Sequence, residues 1–161
     1  MENKTIVEIW RENVEKYRDK TALIYFGKKF TYTEVHQEAR KYADILFHQD
    51  VKKNDVVALM MANCPQFIFA YLGALMLEAK VTPINLLALP KVYKDINEVN
   101  IPDAIREQLK DAKPKAIIAF EMFYPMLKQA AEELRQSAVI LTGPQDYLPW
   151  PLRWLYPLKA K

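Results

Sequence analysis

Val56 through Leu77 reads VVALMMANCPQFIFAYLGALML, 22 consecutive residues without a charged side chain. A bilayer span needs about 20 apolar residues, so length alone admits a transmembrane helix. The interior of the run argues otherwise. Asn63, Pro65 and Gln66 stand at its middle, where lipid would leave their polar groups unpaired. A strand, a turn and a buried helix accommodate the same residues without that cost, with Pro65 in the first helical turn where a missing N–H is harmless. The expected helix begins at Asn63 or Cys64 and runs to about Ala79. Glu78 is its only charge, so it should be buried nearly all round.

The flanking segments extend this soluble reading. Thr5-Ile6-Val7-Glu8 forms a capping-box pattern, and Ile6, Trp10, Val14 and Tyr17 fall on one helical face. TALIYF (21–26) and KKFTY (28–32) surround Gly27 as a hairpin. Thr31-Tyr32-Thr33-Glu34 repeats the capping box, and the helix it opens carries Val35, Ala39, Tyr42, Ala43, Leu46 and Phe47 on one stripe. Beyond KVTPIN, read as a strand, a helix follows Pro102 with Ile101, Ile105 and Leu109 spaced by four. KAIIAF (115–120) is a strand, 124–136 a helix, and AVILT (138–142) a last strand. Apolar strands alternating with helices predict an α/β fold, doubly wound, with a mostly parallel sheet covered by helices on both faces.

Composition excludes several function classes. With 161 residues, 51% of them hydrophobic, the chain can bury a core. A net charge of +3 calls for no nucleic-acid partner. The single cysteine, Cys64, forbids an internal disulfide and suits the cytoplasm. The charged start MENKTIVEIWRENVEKYRDK does not read as a secretory signal. His36 and His48 lack a second ligand at metal spacing and read as solvated helix residues. Cys64 near a helix start reads as a buried structural thiol rather than a nucleophile. Asn63 and Asn85 read as capping or turn residues, and Glu34, Glu38, Asp44 and Asp50 as a solvated polar face.

The segment FTYTEVHQEARKYADILFHQDVKKNDVVALMMANCPQFIFAYLGALMLEAKVTPIN resembles the N-terminal region of the adenylate-forming (AMP-binding) acyl-CoA synthetases, and QDYLPWPLRWLYPLKAK is similar to the segment that long-chain fatty acid–CoA ligases carry just before their second subdomain. The matching positions are Phe30, Thr31, Tyr32 and Glu34, then Asp55, Asn63, Pro65, Gly73, Pro83 and Asn85. IPDAIREQLKDAKPKAIIAFEMFYP resembles the next helix and strand of that family. The family usually has glycine where Asn54 and Glu78 stand. LLALPKVYKDINEVN (86–100) is about a dozen residues longer than the corresponding connection.

The resemblance implies a subdomain over 1–143. A Pro, aromatic and basic linker over 144–161 would lead toward a second subdomain. It also implies that ATP, Mg2+ and CoA serve the full-length enzyme, which adenylates an acyl group and then forms a thioester. Such chemistry needs backbone N–H donors around the phosphates, a metal ion and cationic groups, and the resemblance implies that a Ser/Thr-Gly-rich loop and a lysine on a mobile C-terminal domain supply them. Thr142-Gly143-Pro144 is the nearest approach to such a loop, and the chain has only three glycines. The expectation is therefore a non-catalytic portion with no catalytic, cofactor-binding or metal residue of its own. Its expected partners are the other subdomains or a homodimer partner. The tail YLPWPLRWLYPLKAK leaves two readings open. Its Trp150, Arg153, Trp154 and Tyr156 pack on the missing subdomain, or they contact a membrane surface peripherally.

Overall fold

The computed structural model describes residues 4–86, 101–130, 134–135, 137–150 and 152–153. Helix α1 (Ile6–Tyr17) precedes a hairpin of β1 (Thr21–Tyr25) and β2 (Lys28–Thr31), and α2 spans Tyr32–His48. Then come β3 (Val56–Met60), α3 (Pro65–Met76), β4 (Lys80–Pro83), α4 (Asp103–Ala112) and β5 (Ala116–Phe120). After a 3-10 turn, Glu121–Phe123, follow α5 (Tyr124–Gln129), β6 (Ala138–Thr142) and a second 3-10 turn, Pro144–Tyr147.

Strands β4-β3-β5-β6 form a parallel sheet in that order, and β1 and β2 pair antiparallel apart from it. The chain leaves β3 toward β4 on one side, then jumps past β3 to β5 and on to β6. Right-handed crossovers therefore put α3 on one face of the sheet and α4 and α5 on the other. Helix α2 packs on α3 and forms the outer layer of that face. The α/β, mostly parallel architecture matches the expectation. Among the described residues no helix is long and apolar enough to cross a membrane.

Local chemistry accounts for the starts of the helices. Thr5 Oγ1 accepts from the Glu8 N–H at 3.2 Å, and Glu8 Oε2 accepts from the Thr5 N–H at 2.7 Å. Thr31 and Glu34 repeat the reciprocal bonds at 3.2 and 2.7 Å. Pro65 occupies the first turn of α3. The middle strands β3 and β5 bury nearly every side chain, as a sheet covered on both faces requires.

The structure departs from the sequence reading at several points. Phe47 is 67% exposed rather than part of the buried stripe. It follows Leu46 in the last turn of α2, and 3.6-residue periodicity carries it off the α3 contact. Ile6 is 56% exposed, and α1 buries none of its residues. Helix α3 ends at Met76 rather than near Ala79, because Glu78 adopts a left-handed conformation (φ 57°) that brings Ala79 back into the core. The regular part of α5 ends at Gln129. Residues 87–100 of the long connection, together with Trp154 and Tyr156, lie outside the described residues.

Candidate functional site

In a doubly wound sheet, ligands bind beyond the carboxyl ends of the strands where the chain direction switches. Here that place lies between β3, which leads to α3 on one face, and β5, which leads to α5 on the other. The turn after β6 crosses it. Gln66, fully buried at the start of α3, donates through Nε2 to the Gly143 carbonyl at 2.8 Å. Gln145 Nε2 reaches Glu121 Oε1, just after β5, at 3.0 Å. Asp146 Oδ2 accepts from the Gly143 N–H at 2.8 Å and from Thr142 Oγ1 at 3.1 Å. The amide oxygens of Gln66 and Gln145 are both buried without a hydrogen-bond partner.

Tyr147 closes this turn onto the α2–α3 layer. Its ring lies 5.2 Å from that of Phe69 and 6.2 Å from that of Phe30. Its hydroxyl donates to Glu38 Oε2 at 2.6 Å, and Lys41 binds the other oxygen of Glu38 at 2.6 Å. Burial pushes the Glu38 carboxyl up, but the hydrogen bonds from Lys41 and Tyr147 outweigh it and hold the group below its usual value. Burial, then the bond to Glu38, pushes the Tyr147 phenol up. Burial also pushes Tyr42 up to about 12 and raises the Cys64 thiol. The two phenols and the thiol are thus held neutral rather than in the ionised form a nucleophile needs near neutral pH.

At this edge the Gly143 N–H is bound to the Asp146 carboxylate. The space a Cβ on Gly143 would need is filled by the Gln145 amide, whose Cδ lies 2.6 Å from the Cβ position. Among the described residues no three His, Cys, Asp or Glu side chains could together hold a metal ion.

The family-motif positions of the sequence reading are distributed across the fold rather than gathered. Thr31 and Glu34 cap α2, and Tyr32 stacks on Trp10 at 5.4 Å. Asp55 Oδ2 accepts from the Lys52 N–H at 2.7 Å in the turn before β3. Asn63 is exposed, and Cys64 rather than Asn63 occupies the α3 N-cap, with no side-chain cap bond. Gly73 lies in the α2–α3 contact. Pro83 ends β4, and its carbonyl accepts from Gln108 Nε2 at 2.8 Å; Gln108 Oε1 accepts from the Asn85 N–H at 3.2 Å. Trp150 is 79% exposed, and the Arg153 N–H donates to the Pro149 carbonyl at 3.2 Å.

Two side chains expected on solvated surface are not free there. Glu38 is held by Tyr147, and His36 is half-buried with Nδ1 unpartnered. Gln66 carried no local signal of its burial, since its partner is 77 positions away.

The family model for AMP-binding enzymes matches residues 10–154. The long-chain-fatty-acid–CoA ligase of Bacillus subtilis (strain 168) is 31% identical over 159 residues, 99% of this chain and 26% of that protein. The crotonobetaine/carnitine–CoA ligase of Salmonella arizonae is 29% identical over 161 residues, 96% of this chain and 29% of that protein. The chain thus spans about a quarter of the length of these curated relatives. In structure it is similar to a benzoate CoA ligase of Burkholderia xenovorans LB400, with TM-score 0.68 and 25% identity over 84% of this chain and 25% of that one. An anthranilate CoA ligase matches at TM-score 0.71 and 21% identity, over 94% of this chain and 27% of that one, a likeness of fold. The chain belongs to the AMP-binding enzyme family.

Proposed function

We propose that this chain forms the N-terminal α/β wall of a fatty acid–CoA ligase and does not adenylate by itself. Its sequence similarity to the Bacillus long-chain ligase over almost its whole length supports the substrate class. The observation that carries the non-catalytic reading is the occupied carboxyl edge: the Gly143 N–H is bound to Asp146, and no second glycine offers a phosphate donor. In this reading ATP, Mg2+ and CoA are held by other regions of the enzyme. Residues 144–161 lead toward them. Thr31, Tyr32, Glu34, Asp55, Pro65 and Gly73 serve as scaffold positions.

The test is ATP–pyrophosphate exchange by the 161-residue chain with palmitate and Mg2+, alongside calorimetric titration of ATP. Neither exchange nor heat of binding is expected. Clear exchange would mean that residues assigned here to the scaffold build a phosphate site.

The exposure of Trp150 beside Leu152 and Arg153 favours a second reading, in which this segment rests on a lipid surface in the cytoplasm or pairs with a second copy. Co-sedimentation with anionic vesicles that is lost in Trp150→Ala supports the lipid contact. Vesicle-independent dimerisation supports the pairing.

A further inference from the structure

Two cavities adjoin along the inner side of α1, of about 530 Å³ and about 350 Å³. Arg11 and Met76 line both, so they form one groove between α1 and the α2–α3 layer. One end joins the apolar side chains of Ile6 and Val7 of α1 and of Leu75, Met76 and Ala79 at the end of α3 with the polar Thr5, Glu8 and Glu78. The other end carries Arg11, His36 and Arg40. Ile6 is exposed and α1 has no fully buried residue, so the described residues leave the α1 side of the first end uncovered.

The charges at the groove are unevenly matched. Glu8 also lines it, but its carboxylate is committed to the Thr5 N–H and hydroxyl at 2.7 and 2.9 Å. Glu78 pairs with Lys53 at 2.6 Å. Asp44 is the only other acid at the cationic end, and no salt bridge joins it to Arg11 or Arg40. Neither guanidinium makes a hydrogen bond or ion pair with a described residue, and the His36 Nδ1 atom is buried without a partner. Burial, and then Arg40 and Arg11, lower the His36 pKa, which keeps the ring uncharged beside two fixed cations.

We propose that this groove binds a single-chain amphiphile with a carboxylate head, the head paired with Arg11 and Arg40 and the chain laid along Ile6, Leu75 and Met76. A guanidinium offers paired N–H donors that match a carboxylate, and two of them outweigh the single Asp44. An apolar chain removes from water the side chains that α1 leaves uncovered. The site lies at the α1 side of the α2–α3 layer, away from the carboxyl edge of the sheet. It stands independently of the ligase reading, because binding here requires neither ATP nor turnover.

The experiment is titration of the 161-residue chain with laurate below its micellar concentration, followed by calorimetry and by the 13C shift of a labelled carboxyl. Laurate is expected to bind, acetate to bind far more weakly, and dodecyltrimethylammonium not to bind. Arg11→Gln with Arg40→Gln should weaken laurate roughly tenfold or more, the scale of losing charge-assisted hydrogen bonds. Ile6→Ser should weaken laurate severalfold and leave acetate unchanged. All three side chains are exposed, and matching thermal melts of the variants establish that the fold is kept.

Absence of laurate binding overturns the proposal. So does binding that is indifferent to both arginine changes, or equal binding of the cationic detergent. Tighter binding of dodecyl phosphate than of laurate would also overturn the carboxylate assignment. A positive pyrophosphate exchange would refute the non-catalytic reading and leave this result untouched.

Discussion

Gly73 is the residue on which the α2–α3 contact turns. A Cβ there would stand 2.7 Å from the Ala39 carbonyl oxygen and 2.9 Å from the Ala43 nitrogen, both backbone atoms that cannot rotate away. The two helices must separate to admit a methyl group, and overpacking of this kind costs about 1–3 kcal/mol. Gly73→Ala should therefore lower the urea midpoint with little change in slope, while Gly27→Ala, whose Cβ would meet nothing within 4 Å, is strained only by its φ of 81°. Cys64 gives a second prediction at this scale. Burial raises its thiol above the ordinary 9.0, so the native protein presents little thiolate at pH 8. Iodoacetamide should label it at least about tenfold more slowly in the native state than in denaturant, since the thiolate is the nucleophile. By linkage, the stability that this neutral thiol supplies is full below the ordinary value and is lost as pH rises through the folded one. Native labelling as fast as that of the unfolded chain would show an open, acidic thiol instead.

Among the elements, the tight turns show where side chains oppose backbone geometry. Helix α3 leaves through Glu78 at φ 57°, and the turn before β3 holds Asn54 at φ 69°. The two turns touch: the Asn54 N–H donates to the Glu78 carbonyl at 3.0 Å. A left-handed conformation costs a residue with a Cβ about 1–2 kcal/mol, less for asparagine, while glycine adds about 0.5–1 kcal/mol of unfolded-state entropy. Glu78→Gly should therefore raise stability by up to about 1 kcal/mol, with Asn54→Gly near neutral, both measured as shifts of the urea midpoint. The exposed Lys53–Glu78 pair lost in the first variant offsets little. A destabilised Glu78→Gly would mean that the pair matters more than the strain.

At the scale of the whole molecule, the Glu38–Tyr147 bond ties the last turn of the described chain to the second helix across 109 positions. Tyr147→Phe should cost about 1–2 kcal/mol, because it leaves a half-buried carboxylate short of a donor. The pH dependence follows from the lowered Glu38 carboxyl. Its contribution is complete above the ordinary value of 4.5 and is lost as pH falls through the lower folded value. Denaturation curves of the parent and Glu38→Gln should then differ at pH 7 and converge toward pH 3. A constant difference across that range would assign the effect to packing alone.

What could be read from sequence was what adjacent residues decide among themselves. The capping boxes at Thr5 and Thr31, Pro65 in the first turn of α3, and the apolar runs of β3 and β5 are set by neighbours three or four positions away, so helix starts, strands and the parallel α/β class were legible. Other features waited on distant partners. The burial of Gln66 depends on the Gly143 carbonyl, and the fate of Glu38 depends on Tyr147. The exposure of Phe47 and the half-burial of His36 depend on which arc of α2 meets α3 and α1. Local pattern assigns a residue to a helix face, but only the packed arrangement decides which faces are covered, and with what. The groove with its two arginines arises in the same way, from three helices that no single stretch of sequence brings together.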